Sequence, residues 1–200
     1  MIPVVVLAAG LSTRMGGRPK ALLRLPDGRT FVQAIVDTYL DAEVRDIVVV
    51  LGHEATAVAE HLARTRGTAR VVVNAAYHTG QFSSVLAGLD AVDRPGVEAM
   101  LMTLVDVPLV SADTVRHVVQ RFHCTAAPIV RPVRGDEHGH PVLVSRALFS
   151  PLRHANASEG AKPIVRAHAS AAGDVVVEDA HAFRDVDTPE EYAGILNPSQ

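Results

Sequence analysis

The chain has 200 residues, of which 48% are hydrophobic and 20% charged, and its formal net charge is −3. That length supports one domain with a sizeable core, and a chain with no basic tail is a poor candidate for general nucleic-acid binding. The one cysteine, Cys124, cannot form an internal disulfide, which fits a reducing compartment.

In chain order, Ile2–Leu7 is an unbroken apolar run, as expected of a strand buried on both faces. It is too short for a membrane span or a signal peptide and lacks a basic flank. A cytoplasmic location with no membrane partner is therefore expected. Phe31, Ala34, Ile35, Thr38 and Tyr39 recur at helical spacing behind Thr30, a candidate N-cap. Asp46–Leu51 reads as a second strand, and Ala55, Val58, Ala59 and Leu62 mark the next helix. Val71–Val73 is a third strand, Ser83–Ala91 a short helix with Ser83 as a candidate N-cap, and Ala99–Leu104 a fourth, apolar strand. A helix over about 113–122 follows.

The rhythm then changes. Pro128–Val133 and Pro141–Val144 read as strands joined by the polar stretch Gly135–Gly139, which suggests an antiparallel insertion. Arg131, Arg134, Asp136, Glu137 and His138 read as its exposed tip. Helical residues follow around 147–152 and 161–167, then a late strand at Asp174–Val177. Thr188, Pro189 and Glu191 have the pattern of a capped helix start. Alternating β and α units predict a three-layer α/β fold with a mostly parallel, Rossmann-like sheet, right-handed crossovers and a small antiparallel insertion.

The segment Leu7-Ala-Ala-Gly-Leu-Ser-Thr-Arg-Met-Gly-Gly-Arg-Pro-Lys20 follows the first strand. Small residues at Ala8, Ala9 and Gly10 permit close approach of a ligand. Arg14 and Lys20 add fixed positive charge to a loop rich in N–H donors, which suits phosphates. The glycine spacing gives neither G-x-G-x-x-G nor a Walker loop. Asn74, Asp106 and Asp187 fall at or near other predicted strand ends, the edge where ligands bind in such sheets. A carboxylate at Asp106, facing a phosphate loop, is placed to hold Mg²⁺, with Asp187 or Asp185 as the second ligand. His53, Glu54 and His61 lack the spacing of a zinc motif and read as surface residues.

The first loop resembles the signature of the MobA/MocA-like molybdenum-cofactor nucleotidyltransferases, within the wider nucleotide-diphospho-sugar transferase fold. The resemblance runs from Leu7 to about Tyr192 through ordered motifs. It implies one nucleotidyltransferase domain over residues 1–200. Leu7, Ala8, Ala9, Gly10, Arg14 and Lys20 would bind the nucleotide, joined by Asn74, Gly80, Ser83 and Ser84 on the base side. Asp106 in Asp-Val-Pro and Asp187 in Asp-Val-Asp-Thr-Pro would bind the metal. Arg14, Lys20 and Asp106 would carry the catalysis. Gly139-His140-Pro141 and Lys162 would lie on the acceptor side, with Lys162 standing where the family has arginine.

The activity implied is Mg²⁺-dependent transfer of CMP from CTP to molybdopterin with release of pyrophosphate. Ala9, where the guanylyl branch has glycine, points to CTP rather than GTP. The alternatives are a GTP-dependent guanylyltransferase, a sugar- or polyol-phosphate nucleotidyltransferase, and a non-catalytic nucleotide-binding protein assisting a molybdenum hydroxylase apoenzyme.

Overall fold

The structure is a computed structural model and describes residues 1–65 and 69–197. Its strands are β1 (Val4–Ala8), β2 (Ile47–Leu51), β3 (Arg70–Val73), β4 (Ala99–Leu104), β5 (Ile129–Arg134), β6 (Glu137–His138), β7 (Val142–Ser145) and β8 (Asp174–Val176). Its α-helices are α1 (Phe31–Asp41), α2 (Ala55–Ala63), α3 (Gln81–Val92), α4 (Ala112–Thr125), α5 (Phe149–Arg153), α6 (Lys162–His168) and α7 (Pro189–Leu196). Short 3₁₀ turns fill several connections, among them Thr13–Met15, Lys20–Leu22 and Tyr77–Thr79.

The strands join in one sheet of order β3-β2-β1-β4-β7-β5-β6, with β8 paired to β5. β1 is parallel to both β2 and β4, β2 is parallel to β3, and β5 is parallel to β8. β1 is buried along its whole length, as its unbroken apolar run requires. Its residues alternate between two cores. Val4, Val6 and Ala8 face α1, α2 and α4, while Val5 and Leu7 face α3, α5 and α6. These are the three layers expected. α3 comes close to β1 and β2 because Gly88 carries no side chain; a Cβ there would collide with Val5 Cγ1.

The structure refines two expectations. β7 lies between β4 and β5, antiparallel to both, so the antiparallel element is built into the sheet rather than appended to it. Arg131 belongs to this sheet, paired to Asp174 of β8 at 3.0 Å, while the exposed Arg134–Glu137 pair at 2.8 Å marks the hairpin tip. β5 therefore runs parallel to β4, and the helix joining them, α4, packs on the same face as α1. That crossover runs away from β1 on the side opposite β2, so its hand is opposite to that of β1–α1–β2. The right-handed rule covers parallel strands of one sheet, so this crossover, which spans the antiparallel β7, departs from the right-handed crossovers expected.

The caps follow the sequence signals. The Thr30 side chain accepts from Gln33 N, and Thr188 and Glu191 form a capping box at α7. Ser83 does not cap α3, which begins at Gln81 behind Gly80 (φ 121°). No described helix is long and apolar enough to cross a membrane.

Candidate active site

The strand order reverses after β3, when the chain returns past β1 to form β4. Such a reversal leaves a crevice at the carboxyl ends of the strands. A cavity of about 340 Å³ opens there, lined by Leu7, Ala8, Ala9, Gly10 and Arg14 of the first loop, by Lys20, and by Asp187. Ser12 shapes the loop, with left-handed backbone (φ 49°) and a side-chain oxygen that accepts from Lys20 N at 3.2 Å.

Lys20 Nζ donates to Asp106 Oδ2 at 3.0 Å and also to Asp187 Oδ1. Arg14 Nη1 pairs with Asp187 Oδ2 at 2.7 Å. Lys20 and Asp106 are mostly buried, whereas the Arg14 side chain is 70% exposed, free to follow a ligand. The Asp185–Asp187 segment is tied to the end of β4 by Val186 N donating to the Asp106 carbonyl at 2.8 Å. Burial pulls the Lys20 pKa down, but hydrogen bonds and charge from Asp187 and Asp106 outweigh it and hold the ammonium above its ordinary value. Lys20 in turn holds the Asp187 carboxyl below the usual range.

The donor set fits a divalent cation. Asp106 Oδ1 is buried with no hydrogen-bond partner, and the Lys20 ammonium shows that one cation can touch Asp106 and Asp187 together. Among the described residues no three His, Cys, Asp or Glu side chains cluster as a metal cage. Mg²⁺ needs no such cage, since it takes one or two carboxylates and completes its shell with phosphates and water. Asp185 does not reach Lys20. Burial pushes its carboxyl above the usual range, and the charge of Asp106 adds to this.

Some residues fall where the sequence led us to expect and others do not. Ser84 lines the cavity, but Asn74, Gly80 and Ser83 do not. Asn74 is buried and acts as a clamp: its amide donates to Ser83 Oγ at 2.8 Å and Ser84 Oγ at 3.0 Å, and its carbonyl accepts from Ala76 N at 2.9 Å. Ser83 Oγ is spent on the Ala76 and Gly80 carbonyls. These residues shape the wall instead of presenting polar atoms to the cavity. His140 is enclosed within the charge range of Asp185 and Asp106. Burial lowers its pKa against the opposing pull of the Met102 backbone, Asp185 and Asp106, and its Nδ1 has no partner. Lys162 is exposed on α6 and pairs with no carboxylate among the described residues. His61 bonds to Thr30 Oγ1 at 2.8 Å, a structural contact. Tyr77 and Gln81 also line the cavity; the only sequence signal for them is their place between a strand end and a helix start.

The family model of the MobA-like NTP transferase domain matches residues 4–172. A curated relative, nicotine blue oxidoreductase of Paenarthrobacter nicotinovorans, is 32% identical over 198 residues, covering 96% of this chain and 95% of that protein. The crystal structure of Rv0371c from Mycobacterium tuberculosis aligns with TM-score 0.81 at 30% identity, covering 98% of this chain and 97% of that one. A second Rv0371c structure is a complex with manganese, aligning with TM-score 0.75 at 29% identity over 98% of each chain. Molybdopterin-guanine dinucleotide biosynthesis protein A from Archaeoglobus fulgidus shares the fold, with TM-score 0.69 at 15% identity over 98% of each chain. With a phosphate-type loop, paired carboxylates and a bridging lysine at the sheet edge, the chain belongs to the MobA-like NTP transferase domain family and is a nucleotidyltransferase.

Proposed function

We propose that the chain, acting as one domain, transfers CMP from CTP to the terminal phosphate of molybdopterin and releases pyrophosphate. One observation carries the reading: Lys20, which lines the cavity together with Asp187 and a small-residue loop, bonds to both Asp187 and Asp106. A phosphate oxygen of the acceptor attacks the α-phosphorus in line, and the bond to the β-phosphate's bridging oxygen breaks. No covalent enzyme intermediate is required, so catalysis rests on positioning and charge. Arg14 and Lys20 neutralise the triphosphate and then the leaving pyrophosphate. Backbone N–H groups of the loop hold the phosphates in register.

Asp106 and Asp187 would hold a divalent cation, Mg²⁺ in our reading, which when bound offsets charge on the reacting phosphates. The manganese complex of Rv0371c supports a divalent ion. The Gly139-His140-Pro141 and Asp187-Thr188-Pro189 motifs favour the molybdopterin acceptor over a sugar or polyol phosphate.

The test is pyrophosphate release from CTP and from GTP, with and without Mg²⁺, against molybdopterin, a sugar 1-phosphate and a polyol phosphate. Mg²⁺-dependent release with CTP and molybdopterin is expected. Release only with a sugar or polyol phosphate would replace the acceptor. The relative named nicotine blue oxidoreductase favours a second reading, a redox reaction on a small molecule. Turnover of a redox substrate by the wild type, measured alongside pyrophosphate release, would add that reaction to nucleotidyl transfer.

A further inference from the structure

Among the residues lining the cavity are side chains that phosphate binding does not need. Tyr77 and Gln81 are two of them. Tyr77 is held from behind by Gly52, the residue after β2. A Cβ placed on Gly52 would lie 2.5 Å from Tyr77 Cβ, 2.6 Å from Tyr77 Cγ and 2.8 Å from the Ala9 carbonyl oxygen. Tyr77 N donates to the Asn74 carbonyl, and the Tyr77 carbonyl accepts from Gly80 N, both at 3.3 Å. The buried Asn74 amide locks the same turn to the start of α3. The His78 ring packs edge-on against Tyr77 at 5.9 Å. Tyr77 is thus an aromatic residue held in place where it lines the cavity. Gln81 opens α3; its side chain is exposed, and its carboxamide has no hydrogen-bond partner among the described residues.

We propose that Tyr77 and Gln81 read the nucleobase: the Tyr77 ring backs its face, and the Gln81 carboxamide hydrogen-bonds its edge and sets specificity. This rests on the reading of the cavity as a nucleotide site. Aromatic surfaces accept any base, since every base has a π-face. Discrimination therefore falls to Gln81. A carboxamide has both an acceptor and a donor, matching the N4 amino group and N3 of cytosine. A carboxylate only accepts; it loses the bond to cytosine N3 but suits the N1–H and N2 amino donors of guanine.

The experiment is direct equilibrium dialysis of CTP and GTP with the wild type, Gln81→Glu and Tyr77→Leu, alongside steady-state kinetics. Gln81 is exposed, so the variant is expected to fold, which circular dichroism verifies. Gln81→Glu should move the CTP-to-GTP affinity ratio toward GTP by about 10-fold or more, the size of a good bidentate base contact. The change should appear in KM, with kcat nearly constant. Tyr77→Leu should weaken both nucleotides alike, by about 5-fold or more. A folded Gln81→Glu enzyme with an unchanged ratio overturns this inference and leaves the nucleotidyl-transfer reading standing. A wild type that binds neither nucleotide overturns both.

Discussion

Lys20 and Asp106, 86 positions apart in sequence, meet at 3.0 Å between Nζ and Oδ2. The lysine comes from the loop after β1 and the aspartate from the end of β4, neighbouring parallel strands. Their meeting is thus a consequence of the sheet order. Because Lys20 also reaches Asp187, one ammonium offsets two carboxylates that would otherwise repel each other.

Lys20→Met keeps the aliphatic stem and removes the charge. We expect turnover to fall by about 10²- to 10³-fold, the usual cost of losing one preorganised charge contact, about 2.7–4 kcal/mol. The loss should appear in kcat as well as in nucleotide affinity, because charge grows on the leaving pyrophosphate. Pyrophosphate-release kinetics with saturating Mg²⁺ check this. Unchanged affinity and rate would make the loop a structural connection.

Gly52→Ala tests the wall behind Tyr77. The added methyl would meet the Tyr77 Cβ and the Ala9 carbonyl well inside contact distance, so the backbone of the loop or of the Asn74 turn must move. Overpacking of this kind costs about 1–3 kcal/mol. Urea denaturation should show that loss, and nucleotide affinity should fall with it. A variant of wild-type stability and affinity would show that the Tyr77 turn is free to shift.

Much of the fold is legible in the amino-acid sequence itself. The apolar runs at Ile2–Leu7 and Ala99–Leu104 have the pattern of buried strands, and the first loop and Asp187 line the cavity, with Asp106 bonded to Lys20 beside them. The wall is less legible. Asn74 and Ser83 have the chemistry of ligands, but their polar groups are consumed by each other and by the Ala76 and Gly80 carbonyls. Tyr77 and Gln81 reach the cavity because Gly80 starts α3 earlier than the serines suggest, a backbone fact with no side-chain signature. The place of β7 between β4 and β5 is hidden for a related reason: strand pairing over such a separation depends on the whole sheet.

Asp179 links the C-terminal segment to the start of α4. Its carboxylate accepts from Ser111 N and Thr114 Oγ1, each at 2.8 Å. Burial raises its pKa, but these bonds outweigh it and hold it below the usual aspartate range. A lowered folded value contributes stability that is present above the unfolded pKa of about 3.9 and is lost as pH falls through the folded one. Asp179→Ala should therefore cost about 1–2 kcal/mol at pH 7, and the gap to wild type should shrink as pH drops below about 4. Urea denaturation of both proteins at pH 7 and pH 3 measures it. A gap equal at both pH values would assign the effect to packing.

Ala9 adds a steric term to the proposed choice of nucleotide, beside the hydrogen bonds proposed for Gln81. It is buried, lines the cavity, and its carbonyl lies against the Gly52 backbone that supports Tyr77. We expect its methyl group to take space beside the base, where a purine needs more room than a pyrimidine. We expect wild-type kcat/KM to be higher for CTP than for GTP, and Ala9→Gly to raise the GTP value about 5- to 100-fold, since one methyl in a pocket is worth about 1–3 kcal/mol. The CTP value should change little, because a cytosine that already fits gains nothing from added space. Competition kinetics with both nucleotides and a common acceptor read both numbers at once. A wild type preferring GTP would replace cytidylyl by guanylyl transfer and leave the Lys20–Asp106–Asp187 cluster untouched. A gain for GTP confined to kcat would move the effect of Ala9 from base fit to phosphate alignment.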